Sequence, residues 1–237
     1  FIRSENFWRV LDSIAEDIID INVLGGEPFI MQDHDRVLDY FIQRGLAKNI
    51  VLQYNSNLSV INPKLLERWT HFKHITMGGS MDEINDRFEL IRYGGRWDRF
   101  TDNVRLIQSI PNVNLWGLSV CYMIPNMFGI GRIDAWAAET GSPPISYRWI
   151  YDPAYMTLDN LPRAAKQELI EFNTAVNTEK SLTMAELMKS RLDLPEDPAA
   201  VQTFVRLMDY LDHTRRQDWR ATLPDVRAFL TKHCGTD

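Results

Sequence analysis

Glu27 is the side chain in this sequence best placed to do chemistry. It follows an apolar, β-branched run and stands in Gly25-Gly26-Glu27-Pro28. The two glycines open a tight turn, and the carboxylate after them can accept hydrogen bonds from a ligand ammonium. Polar groups recur after the next two apolar runs. Asn55-Ser56-Asn57 follows residues 49–54, and Gly78-Gly79-Ser80-Met81-Asp82 follows residues 74–77. Asn57 offers both donor and acceptor capacity, and Ser80 with Asp82 could hold hydroxyls such as those of a ribose. Exposed backbone at Gly25-Gly26 and at Gly78-Gly79 would let a ligand approach closely. The three sets lie about 25 residues apart, and in a parallel α/β protein such strand ends lie side by side.

Each of these residue types is also an ordinary turn former or helix cap. Their recurrence at three successive strand ends is what favours a shared pocket. Arg92, after Leu90-Ile91, reads by itself as a solvated or ion-paired arginine. The segment from Tyr122 to Phe128 reads equally as a substrate-facing loop or as irregular core. Other chemistries find no support. Gly25-Gly26 does not open a dinucleotide fingerprint, no phosphate-loop lysine is present, and no serine sits in a nucleophile elbow. His34, His71, His74, His213 and His233 have no metal-ligand spacing, and His71 and His74 read as surface groups. Cys121 and Cys234 are too few for a metal quartet and read as one core thiol and one tail thiol in a reducing compartment.

The elements that would position these residues alternate. Helix is expected to about residue 15 or 16 with Ser4 or Asn6 as cap, then over 35–44, 63–72, part of 82–93, 96–109 and 128–139. Strands are expected at 18–24, 49–54, 74–77, 113–123 and 145–150, buried on both faces. That pattern is a parallel sheet of βαβ units. After Pro153 the composition turns helical, with helices at 161–173, 183–191 (capped by Thr183) and 199–212, a further helix or a continuation of that one at 214–219, and a last helix at 223–233. The division expected is a core over 1–155 and a mainly helical region over 156–237.

The chain has 237 residues, 45% hydrophobic and 24% charged, with a formal net charge of -6. This is an ordinary globular composition with enough length for a real core. The mild acidity argues against a general nucleic-acid binder. No apolar stretch is long enough to span a membrane. The first residues, Phe-Ile-Arg-Ser-Glu, resemble no signal peptide and lack an initiator Met. They read as the interior of a longer chain, and a cytoplasmic location is expected.

Taken in order, the motifs resemble the radical S-adenosylmethionine family, in its twitch-domain type. Gly25-Gly26-Glu27-Pro28 resembles the segment that binds the methionine amino group. Asn55-Ser56-Asn57-Leu58 resembles the asparagine-bearing strand end, and Ser80-Met81-Asp82 the motif that meets the ribose. Residues 88–97 resemble the arginine-containing segment that follows, with Arg92 toward the nucleoside or carboxylate end of the cofactor. The likeness covers roughly residues 5–173, and residues 209–224 resemble the family's C-terminal helical end. It implies a partial, open (β/α)6 TIM-like barrel with a helical C-terminal extension. It implies S-adenosylmethionine as cofactor, a [4Fe-4S] cluster, an external electron donor, and hydrogen abstraction from an unknown small-molecule or peptide substrate. No side chain need then act as general acid or base.

One departure stands out. The family's CxxxCxxC loop is absent, and a cluster needs thiolate ligands. By the resemblance, residues 18–24 form the second core strand, so the first strand and the cluster loop would precede Phe1. The chain as given is therefore expected to hold the cofactor but not to cleave it. Two other readings remain open: a non-catalytic relative that binds a nucleoside or peptide, and an assembly module whose helical tail is the interface.

Overall fold

A computed structural model describes residues 2–236. Phe1 and the expectation attached to it lie outside the described residues. The order of elements is α1 (Glu5–Ile14), β1 (Asp20–Val23), α2 (Gln32–Gln43), β2 (Val51–Ser56), α3 (Pro63–Trp69), β3 (His74–Ser80), α4 (Asn85–Ile91), α5 (Trp97–Gln108) and β4 (Val113–Tyr122). There follow α6 (Ile130–Thr140), β5 (Ile145–Trp149), α7 (Arg163–Val176), α8 (Glu179–Lys189), α9 (Pro198–Arg215), α10 (Trp219–Thr222) and α11 (Pro224–Cys234). The five strands form one sheet in the order β1-β2-β3-β4-β5. β1, β2 and β3 run parallel, with Asn22 beside Gln53 and Gln53 beside Thr76. The chain divides into two compact units, Phe1–Ser80 with Asp98–Leu118, and Met81–Trp97 with Ser119–Asp237.

In the first unit, local sequence sets the helices. Ser4 caps α1 by accepting the Phe7 N–H, and Asn62 caps α3 by accepting the Leu65 N–H ahead of Pro63. α2 turns Leu38 and Phe41 inward, as the three-and-four spacing requires, and its C-terminus runs into Gly45 with φ 68°. Alternate residues of β2 and β3 (Leu52, Tyr54, Ile75 and Met77) are buried, and Trp69 and Phe29 pack edge-on near Tyr54. Each such side chain contributes roughly 1.5–3 kcal/mol by leaving water.

The expected burial of the strands on both faces does not hold for β1. It is an edge strand with Asp20 and Asn22 exposed, and the flanking Ile19 and Leu24 are 71% and 68% exposed. A strand at a sheet edge with one polar row cannot be covered twice. β3 also runs past the expected boundary, so Gly78 and Gly79 lie inside the strand and are buried. A Cβ on Gly78 would stand 2.6 Å from the Trp116 ring, and one on Gly79 2.6 Å from Leu118 and 2.7 Å from Leu58. These glycines make room for side chains of the protein and are not an open approach for a ligand.

The second unit has its own core, made by α7, α8, α9 and α11 with the chain after β4. Leu169, Met188, Phe204, Trp219 and Leu230 are among its buried members. Residues 122–127 are all buried, so this segment is core and not a substrate-facing loop, while Tyr151 is 62% exposed. α8 begins earlier than expected. Thr178 and Ser181 exchange side-chain-to-backbone bonds in a capping box, whereas the Thr183 hydroxyl bonds back to the Glu179 carbonyl within the helix. Residues 198–215 form one helix, so the stretch expected at 214–219 as a further helix or a continuation begins as its last turn, and the short α10 starts only at Trp219. No helix among the described residues is long and apolar enough to cross a membrane.

Candidate functional site

Two groups of the expected residues come together, one in each unit. In the first unit, β1 ends at Val23 and the chain turns through Gly25 and Gly26, with φ of 90° and 55°. Both glycines are exposed, and a Cβ on Gly25 would meet nothing within 4 Å. Pro28 is buried and opens a short 3-10 turn to Ile30, which fixes where Glu27 leaves the backbone. The Glu27 carboxylate accepts the Ser56 hydroxyl at 2.7 Å and the Asn57 N–H at 2.8 Å. Ser56 is 3% exposed, and its Oγ also accepts the Leu58 N–H at 3.0 Å. Asn57 Oδ1 accepts the Ser59 N–H, so its carbonyl closes its own turn. Among the described residues Glu27 is therefore held in place by neutral donors alone, and its negative charge stays available to a cation.

Ser80 is the last residue of β3 and is half-buried. Next in sequence, the second unit assembles a tighter group. Asp82 has φ 71°, an uncommon backbone state for a residue with a side chain. Its Oδ1 accepts the Cys121 N–H at 2.7 Å, and its Oδ2 lies 2.7 Å from Arg92 Nη2. Arg92 Nε donates to the Met81 carbonyl at 3.1 Å. Asp82 is 5% exposed and engaged through both oxygens. It holds the end of β4 and the guanidinium of Arg92 and is not a free ribose acceptor. Arg92 is thus the ion-paired arginine that its sequence context suggested, and its side chain is 24% exposed.

Sequence reasoning missed three participants. Ser56 was legible only as part of a polar triplet. Cys121 contributes its backbone N–H, which no side-chain pattern reveals. Asn126, 1% exposed, donates to the carbonyls of Asp82 and Cys121 from a segment that read as loop or core.

In the first unit an acceptor-only carboxylate beside open glycine backbone suits the ammonium of S-adenosylmethionine; in the second unit a guanidinium suits a carboxylate. An iron–sulfur cluster does not fit. Among the described residues no group of three His, Cys, Asp or Glu could hold a metal. Burial, with the Asp82 carboxylate adding to it, holds the Cys121 thiol above its usual range, and burial pushes Cys234 up to about 11. Neither is poised as a thiolate.

No family model matches the sequence, and no curated protein matches it either. Two crystal structures of Streptococcus suis SuiB are similar to part of the chain. SuiB bound to S-adenosylmethionine aligns with a TM-score of 0.47, and SuiB bound to precursor peptide SuiA with 0.48. Both alignments are 17% identical and cover 72% of this chain and 38% of that one. The aligned part of this chain thus spans well under half the length of SuiB.

Proposed function

We propose that the chain is the cofactor-binding part of a radical S-adenosylmethionine protein, with residues 1–155 belonging to a partial (β/α)6 barrel and residues 156–237 to its helical extension. The observation that carries this reading is Glu27. Its carboxylate stands on an exposed Gly25-Gly26 turn and is fixed by Ser56 and Asn57, with no cationic partner among the described residues. The charge of a buried or half-buried carboxylate is stabilised by a cationic partner, and a ligand ammonium meets that need. In the first unit Glu27 takes the ligand amino group and Asn57 supports it; in the second unit the role assigned to Arg92 is toward a ligand carboxylate or nucleoside end. Gly25, Gly26 and Pro28 shape the turn, and Ser80 lies toward the ribose. Asp82 enters indirectly, by holding Arg92.

When bound and reduced, the cofactor supplies hydrogen-atom abstraction; the residues named bind it, orient it and exclude water. Cys121 and Cys234 do not form a cluster site among the described residues. The substrate proposed is a peptide or small molecule, and an external electron donor would serve the complete system.

Titration calorimetry of the chain with S-adenosylmethionine tests the reading. Wild type should bind, and Glu27→Gln should lose about 1.5–3 kcal/mol of affinity, roughly ten- to a hundred-fold in Kd. No binding by wild type sinks the proposal, and equal binding by the variant removes Glu27 from the site.

A further inference from the structure

We infer that Asn126 is a positioning residue for Arg92 and acts through Asp82. The inference rests on the reading that assigns Arg92 to the ligand. Its geometric basis is a closed relay within the second unit. Both amide hydrogens of Asn126 are used, one on the Asp82 carbonyl at 2.7 Å and one on the Cys121 carbonyl at 2.8 Å. Its Oδ1 accepts the Met123 N–H at 2.9 Å. A side chain with this many bonds and 1% exposure has a single orientation.

Asp82 needs such a partner. With φ at 71°, it occupies a state that residues with a Cβ keep only where the surroundings hold them. Asn126 holds the carbonyl of that residue. With the backbone fixed, the carboxylate has one direction: Oδ1 to the Cys121 N–H and Oδ2 to Arg92 Nη2, each at 2.7 Å. Arg92 is then anchored a second time, from Nε to the Met81 carbonyl at 3.1 Å. Two anchors on one planar group define its plane. The Nη1/Nη2 edge retains donors for a planar anion such as a carboxylate. An arginine fixed before the ligand arrives loses little side-chain freedom on binding, which raises affinity without a new contact.

The hydrogen bonds of Asn126 go to Asp82, Cys121 and Met123 and not to the guanidinium, so its role must be read at Arg92. NMR of the full chain labelled with 15N gives the readout: solvent exchange of the Arg92 Nε–H and of the Cys121 amide, with the amides of Leu52 and Tyr54 as internal reference. Asn126→Ala should speed exchange at both reporters by about tenfold or more and leave the reference amides unchanged. Asp82→Asn should release the Arg92 Nε–H with Asn126 intact. Adding Asn126→Ala to Asp82→Asn should then change Arg92 no further. Should Asn126→Ala not fold, Asn126→Gln, which keeps the amide but displaces it by one carbon, should give a smaller change at the same reporters.

Unchanged Arg92 exchange in a folded Asn126 variant overturns the inference, and so does an additive effect in the double variant. Calorimetry with S-adenosylmethionine separates this from the proposed function. If the exchange pattern appears and wild type binds nothing, the relay stands and the functional reading fails. If wild type binds and Asn126 variants leave both exchange and affinity unchanged, the functional reading stands and the relay fails.

Discussion

Glu27 in the first unit and Asp82 in the second are both carboxylates beyond the end of an apolar run, and each accepts a backbone N–H from a distant segment, 30 and 39 residues away. Their remaining partners differ. Glu27 receives a second neutral donor, the Ser56 hydroxyl, on a turn opened by exposed glycines. Asp82 receives the guanidinium of Arg92, at 5% exposure, with its backbone tied by Asn126. The same functional group is thus open to a cation in one place and neutralised in the other. Residue type at a strand end does not tell a ligand contact from a structural clamp; the sign and number of the protein's own partners do.

Asp82→Ala leaves the Cys121 N–H without its acceptor and Arg92 without its counter-charge. Urea unfolding should show a loss of about 3 kcal/mol, at the low end for a buried pair because Arg92 is partly exposed. A loss below a few tenths would mean that Asp82 is no clamp.

A second contrast is acid sensitivity. His34, in the first unit, is 4% exposed with Nε2 2.8 Å from the Tyr54 hydroxyl. Burial lowers it from 6.5 to about 4, against the pull of Asp35 and with a smaller push from Arg68. Its folded value lies below its unfolded one, so the neutral form favours folding. The stability it contributes is fully present above about pH 6.5, falls as the pH drops, and is gone near pH 4. The difference should approach about 3 kcal/mol at most. Unfolding curves at pH 7 and pH 4.5 should show it in wild type and a flatter response in His34→Gln. Equal slopes in the two proteins would count against it.

Glu27→Gln should behave in the opposite way to Asp82→Ala. The carboxamide keeps an acceptor for Ser56 or Asn57, so unfolding stability should change by about 1 kcal/mol or less while ligand affinity falls by the larger amount given above. A large stability loss with unaltered affinity would make Glu27 a clamp as well. The smallest effect belongs to Ser56→Ala. It removes one donor from Glu27 and the acceptor of the Leu58 N–H, and should cost about 1 kcal/mol in denaturant unfolding. It should also loosen the Asn57 turn, visible as faster amide exchange at Asn57 and Leu58. Unchanged exchange at both would show that Ser56 is a bystander.

The order of helices and strands was largely legible in the sequence, because three-and-four spacing, a cap such as Ser4, and the Gly25-Gly26 turn are local signals. Boundaries failed where local signals compete. Gly78-Gly79 reads as a loop, yet Trp116 and Leu118 occupy the space their missing side chains leave, and the strand continues through them. The Thr178–Ser181 box outcompetes Thr183 because two reciprocal bonds fix the entry to α8 more firmly than one hydroxyl.

Which polar residues follow which apolar runs, and so where a site could be built, is written in the chain. Only tertiary structure decided what each of them does. A carboxylate binds whichever donors and cations the fold brings within hydrogen-bond reach, and those come from segments far along the chain. For Glu27 the register of β1 with β2 brings a hydroxyl and an amide; for Asp82 the left-handed backbone, Asn126 and the turn after α4 bring an arginine.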